Sequence, residues 1–198
     1  MMRKAGAISV LAIAAVVAWA AAADADSDQT VHLIRLPAGA RGGQGYRLTY
    51  QVPLPIDVFW RFKTHFDNTF LEENVQILDH RLISRQDNVV ITEDRYSSAP
   101  RESFRWETTI FPQQYRLEFR LIDTGKNKHK FHYGAIQLEP DGDNTRVIQT
   151  AYFDFWGASL WAFYPWGGGM RSFLVSNAEW ERQTAVRLRG HYVEPSAE

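Results

Sequence analysis

The chain has 198 residues, a length that points to one domain and at most two. Apolar residues make up 45% and charged residues 23%, ordinary globular usage that excludes a disordered or collagen-like chain. A net charge of −1 argues against electrostatic nucleic-acid binding, which needs clustered Lys and Arg, and the absence of Cys removes disulfide frameworks, thiolate nucleophiles and Cys-based zinc sites.

The N-terminus opens Met1-Met2-Arg3-Lys4 and runs uncharged from Ala5 to Ala23. A basic start, an apolar stretch and small residues before Asp24 form a secretory signal, so residues 1–23 are expected to be removed on export. An uncleaved anchor is the alternative, since 19 uncharged residues just reach across a bilayer, but Ala is a weak membrane residue. Removal leaves 175 residues and, with Arg3 and Lys4 lost, a net charge of −3. The expected location is secreted, and in a Gram-negative source the periplasm.

Residues 24–45 read as a flexible lead-in, with one short extended stretch at Val31–Leu36. Gly39, Gly42, Gly43 and Gly45 do not open a helix, and no Gly-Lys-Ser/Thr follows, so a phosphate loop fails its context test. From Tyr46 to Val52 apolar and polar residues alternate as in a half-buried strand. Pro55 then suits the first turn of a helix in which Ile56, Phe59, Trp60 and Lys63 share one side. A second short helix is expected over Asn68–Glu73.

Six further strands are expected at Gln76–Ser84, Asn88–Tyr96, Glu102–Phe111, Tyr115–Asp123, Lys128–Glu139 and Asn144–Phe155, separated by turn chemistry. Phe104, Trp106 and Ile110 oppose Arg105, Glu107 and Thr109, and Tyr115, Leu117, Phe119 and Leu121 oppose Arg116, Glu118 and Arg120. Hairpin-sized connections make this an antiparallel sheet with one wet face. After Gly167-Gly168-Gly169, Met170–Arg189 reads as a helix of about 20 residues. One side of it carries Met170, Phe173, Leu174, Asn177, Ala178 and Glu181, continuing to Leu188.

The fold class is therefore α+β: a seven-stranded curved antiparallel sheet wrapped around a long C-terminal helix, with two short helices after the first strand. Val52-Pro53-Leu54-Pro55-Ile56-Asp57-Val58-Phe59-Trp60 is similar to the first-helix entry of the START-like, or SRPBCC, superfamily (polyketide cyclase/dehydrase and lipid transport proteins). Asp67-Asn68-Thr69-Phe70 resembles that family's second short helix, and Leu174–Leu188 with its mid-helix Glu181 resembles the closing helix. The resemblance covers Tyr46 to His191, sets a domain at 46–193 with 194–198 as a tail, and implies the helix-grip fold with a deep apolar cavity. Members include carriers, cyclases, hydroxylase domains and chaperone regulators, so the fold does not settle the function.

On this reading Phe104, Trp106, Phe119, Phe153 and Phe155 supply apolar wall from the sheet, and Met170, Phe173 and Leu174 supply it from the helix. Asn177 and Glu181 would fix a ligand's polar groups. Glu181 has a bland reading, a salt bridge to a strand Arg such as Arg95 or Arg105, and a sharper one as the general acid or base of a cyclase or dehydratase. Trp156, Trp161, Phe163, Tyr164 and Trp166 form either a lid or membrane contact, or core at the open end of the sheet. His129 and His132 fall three apart on a strand and should face opposite sides, which argues against a joint metal site. No cofactor is expected. The partner is a hydrophobic small molecule or lipid, with a cyclase-type enzyme and an envelope assembly protein as the rival readings.

Overall fold

Side chains that alternate between an apolar and a charged set favour a sheet with one covered face and one wet face. The computed structural model describes residues 31–67, 77–97, 99–124, 129–155 and 169–193, with backbone alone at Phe155, Gly169 and Met170. The signal segment, the second short helix and the aromatic stretch Trp156, Trp161, Phe163, Tyr164 and Trp166 lie outside the described residues. The strands are β1 (His32–Leu36), β2 (Gln44–Val52), β3 (Ile77–Gln86), β4 (Val89–Tyr96), β5 (Phe104–Phe111), β6 (Arg116–Ile122), β7 (His129–Asp141) and β8 (Asn144–Phe155). Helix α1 spans Ile56–Thr64 and α2 spans Gly169–Arg187. The strands form one antiparallel sheet in the order β1-β2-β8-β7-β6-β5-β4-β3, so α1 leads the chain from β2 to the far edge and the meander returns to it.

The sheet has eight strands rather than seven, and the extra one comes from the expected lead-in. His32–Leu36 pairs along β2, from His32↔Thr49 to Leu36↔Gly45, and a turn follows in which Gly42 N donates to the Gly39 carbonyl at 2.8 Å. Gly43 lies at φ 75°, and a Cβ there would sit 2.6 Å from the Phe153 carbonyl and 2.7 Å from the Phe131 ring. Its smallness serves close packing on the sheet and not a phosphate.

Inward residues include Val52, Val147, Leu48 and Phe153, all essentially inaccessible. The outward face carries a ladder of charges: Arg81 and Arg105 both donate to Glu93, at 2.9 and 2.7 Å, and Arg120 donates to Glu107 at 2.7 Å. Exposed pairs of this kind contribute at most about 1 kcal/mol each, so they favour register more than they hold the fold.

Helix α1 is rotated from its expected phase. Phe59 is fully buried as expected, but Val58 and Phe62 complete the buried face, while Ile56 and Trp60 are only half-buried. Trp60 instead meets Tyr115 edge-on, with ring centroids 5.5 Å apart. Helix α2 keeps its expected face: Leu174, Ala178, Thr184 and Ala185 are buried, and Glu179, Gln183 and Val186 are exposed.

Gly134 has the tightest surroundings of the described glycines. A Cβ there would stand 2.0 Å from the Thr150 carbonyl oxygen and 2.6 Å from the Phe119 ring, whereas one on Gly190 would meet nothing within 4 Å. Gly134→Ala is expected to lower stability by about 3 kcal/mol, and Gly190→Ala to stay within about 0.5 kcal/mol of the parent. Urea denaturation of both variants checks this; equal losses would contradict the packing at Gly134.

Candidate functional site

The inward sheet face and α2 do not meet everywhere. Between them lies a cavity of about 320 Å³, at the lower end of the range for small-molecule sites. Small side chains leave this gap: Thr92 and Thr108 on the sheet and Ala178 on the helix all line it. Larger residues, among them Phe62, Phe66, Leu117 and Ile136, close the remainder.

Three elements converge on Glu181. It sits midway along α2, and Tyr50 of β2 donates its phenol proton to Oε1 at 2.7 Å. Lys63, in the last turn of α1, donates from Nζ to Oε2 at 2.5 Å. Both ionic side chains are largely out of water, at 13% and 18% exposure, so the pair is worth more than a surface bridge. Burial above all, then the charge and hydrogen bond of Glu181, hold the Tyr50 phenol well above its usual pKa and keep it a donor.

The partner of Glu181 is thus Lys63 and not a strand Arg. Arg95 and Arg105 occupy the outward phase of their strands, where Arg95 lies 3.5 Å from Asp79 and Arg105 binds Glu93. Neither points to the helix.

A second polar chain crosses β3, β4 and β5. Trp106 Nε1 donates to Tyr96 Oη at 3.2 Å, and Tyr96 donates to Asp94 Oδ2 at 3.2 Å. His80 Nδ1 faces Asp94 Oδ1 at 2.6 Å, and Nε2 donates to the Phe66 carbonyl at 2.9 Å. A contact of 2.6 Å between Nδ1 and a carboxyl oxygen requires a proton between them. The His80–Asp94 pair is therefore neutral as a unit, whichever atom holds that proton.

His129 and His132 are not on opposite faces. The β7–β8 register slips between His129 and Phe131, and this irregularity returns His129 to the inward side. The two rings stack with centroids 6.0 Å apart and planes 12° apart. His132 also meets Trp106 edge-on at 4.9 Å and Phe153 at 5.4 Å. Burial, and secondarily His129, lower its pKa to about 3. Among the described residues no group of three or more His, Cys, Asp or Glu is placed to hold a metal.

Of the residues singled out from sequence, Trp106, Phe119, Phe173, Leu174, Asn177 and Glu181 line the cavity. Phe104 and Phe153 do not; they are buried one layer behind, Phe104 against Tyr96 and His129, Phe153 against Tyr46 and His132. The side chains of Phe155 and Met170 lie outside the description. Sequence reasoning missed Tyr50, Lys63, His80, Asp94, Tyr96, His132 and Gln149, all in the wall. For Tyr50, Asp94 and Gln149 the available signal is strand parity: each lies an even number of residues from a buried neighbour, such as Leu48, Val90 or Val147.

The lowered pKa of His132 has a stability consequence with a definite sign. Below about pH 6.5 the unfolded chain binds a proton that the folded ring binds only near 3, so this residue withdraws stability progressively across that interval. His132→Phe is expected to lose less stability than the parent between pH 6.5 and 4, measured by urea denaturation at both values. Parallel losses would contradict the assignment.

No protein-family model matches the sequence, and no curated protein matches it either. Solved structures do resemble it. A START superfamily protein of Mycobacterium smegmatis is 14% identical over 75% of this chain and 96% of its own, with a TM-score of 0.50. A protein of Thermus thermophilus is 15% identical over 72% of this chain and 94% of its own, with a TM-score of 0.52. Norcoclaurine synthase of Thalictrum flavum, solved in complex with dopamine and hydroxybenzaldehyde, is 9% identical over 93% of this chain and 98% of its own, at 0.53. Sheet, cavity and closing helix together give this chain the helix-grip fold of the START-like, or SRPBCC, proteins.

Proposed function

We propose that this protein binds and carries a hydrophobic small molecule or lipid outside the cytoplasm, in the cavity between the sheet and α2. The observation that carries the reading is the cavity itself, open space walled by Phe119, Leu117, Ile136, Phe173 and Leu174 where a single-purpose core would be solid. Burial of apolar ligand surface at roughly 25 cal/mol per Å² supplies the affinity. The signal-like residues 1–23 support export.

Glu181 acts in this reading as a brace. Each of its carboxylate oxygens accepts from a donor, Tyr50 on one side and Lys63 on the other, so its charge is matched and its position in the wall is held. Glu181→Gln strands the Lys63 charge and is expected to lower stability by about 2–4 kcal/mol. The double change Glu181→Leu with Lys63→Met should recover much of that loss. Denaturation of all three proteins tests this, and a Glu181→Gln variant as stable as the parent would remove the brace.

Binding is tested by purifying the exported protein, extracting it with organic solvent and reading the extract by mass spectrometry. An apolar molecule near one equivalent is expected. Ala178→Phe, which fills the cavity from α2, should reduce that yield at least tenfold while circular dichroism stays unchanged. A parent protein repeatedly recovered empty, and unable to bind naphthalene, would overturn the reading.

A further inference from the structure

Among the described residues, the charges that face the cavity cancel within its wall. Lys63 is matched by Glu181, and Asp94 is matched by His80 across a shared proton. His65 sits at the exposed rim and bonds Tyr192 Oη at 3.0 Å. Among the described residues lining the cavity, no cation is left over to receive an anionic group. A carboxylate or phosphate brought inside would lose its hydration with no unmatched cation among the described lining residues to offset the charge.

What the wall does offer is neutral hydrogen-bonding capacity. The His132 side chain is half-buried, faces the cavity, and has only ring contacts with Trp106, Phe119, Phe153 and His129. Its ring nitrogens take no hydrogen bond from the described residues. With its pKa near 3 the ring is uncharged at neutral pH, so one nitrogen donates and the other accepts. The Gln149 amide and the hydroxyls of Thr92 and Thr108 also face the cavity without a side-chain hydrogen bond among the described residues. Gln149 pairs with Ile136, four residues along β7 from His132, which separates the two groups by roughly 13 Å on one face. The polar groups left for a ligand are thus neutral at both ends of the apolar wall.

Building on the binding role proposed above, we infer that the cavity selects an uncharged molecule whose hydroxyl or carbonyl group hydrogen-bonds His132, and discriminates against the same skeleton carrying a carboxylate. An imidazole enclosed by four rings matches a group that donates, accepts or does both without bringing charge. The ligand is accordingly an alcohol, phenol or ketone of apolar skeleton rather than a fatty acid or a phospholipid headgroup.

Three probes of one skeleton test this on the full-length exported protein at about pH 7: naphthalene, 2-naphthol and 2-naphthoate, followed by tryptophan fluorescence. The expected order is 2-naphthol about tenfold tighter than naphthalene, with 2-naphthoate at least tenfold weaker than 2-naphthol. His132→Phe should lose the preference for 2-naphthol, read as the ratio of the 2-naphthol and naphthalene affinities within that variant. His132→Gln, which keeps a donor and an acceptor, should retain part of it and serves as the second variant if the Phe protein does not fold. Binding of 2-naphthoate as tight as 2-naphthol overturns the selection of uncharged ligands. A 2-naphthol preference that survives in His132→Phe overturns the role of His132. Failure of all three probes to bind overturns the carrier reading, and this inference with it.

Discussion

A carboxylate placed midway along a helix that faces a sheet has to be neutralised where it stands, and the answer here is a three-element joint. Glu181 on α2 draws Tyr50 from β2 and Lys63 from the end of α1 to the same point. An isolated pair at 13% and 18% exposure would barely offset its own desolvation. The phenol changes that balance, because its short hydrogen bond satisfies the second oxygen without adding charge. The joint ties both helices to the sheet at the edge of the cavity, which Tyr50, Lys63 and Glu181 all line.

That space raises an energetic question which the polar residues answer. Side chains lining a dry, purely apolar hollow would forfeit packing contacts on one side. Total stability for a domain of this kind is about 5–15 kcal/mol, so such a loss would draw on a small reserve. Thr92, Thr108, Gln149 and His132 make the hollow wettable, since water needs two or more polar partners to reside in a cavity. On the proposed carrier reading, the same groups would exchange water for a ligand's hydroxyl or carbonyl at little enthalpic loss. One set of side chains serves the filled and the unfilled protein.

How far the sequence discloses this arrangement depends on whether a feature is local. Strand positions follow from alternation, and β8 begins and ends where the pattern does, at Asn144 and Phe155. The α2 stripe exposes Glu181 as anomalous because a single helix face suffices to see it. A strand Arg is the wrong partner for it, and the residues themselves carry the correction: Phe104 and Trp106 face inward, so Arg105 between them faces out. By contrast, β1 owes its existence to pairing with β2 across a Gly-rich turn, and its own five residues show only a mixed burial pattern. The bulge that turns His129 inward has no residue signature at all. It is a property of the β7–β8 ladder, and with it the stacked pair of imidazoles stays hidden from any periodicity argument.

The two faces of the sheet treat charge in opposite ways, and strand parity is what separates them. Outward positions carry Arg81, Glu93, Arg105, Glu107 and Arg120 as an open ladder in water, where each pair is weak and removable. Inward positions carry Asp94 and His80 under the same backbone, at 13% and 5% exposure, where an unpaired member would be severely destabilising. A slip of one residue in any of these strands would bring the ladder inside and the rings outside, so the charges enforce register by the penalty they would incur in the wrong phase. The matching of Asp94 by His80 on the inward face is thus a folding requirement in its own right. A sheet that keeps its open charge ladder outside to hold its register presents, on the other face, a wall in which the described charges are matched.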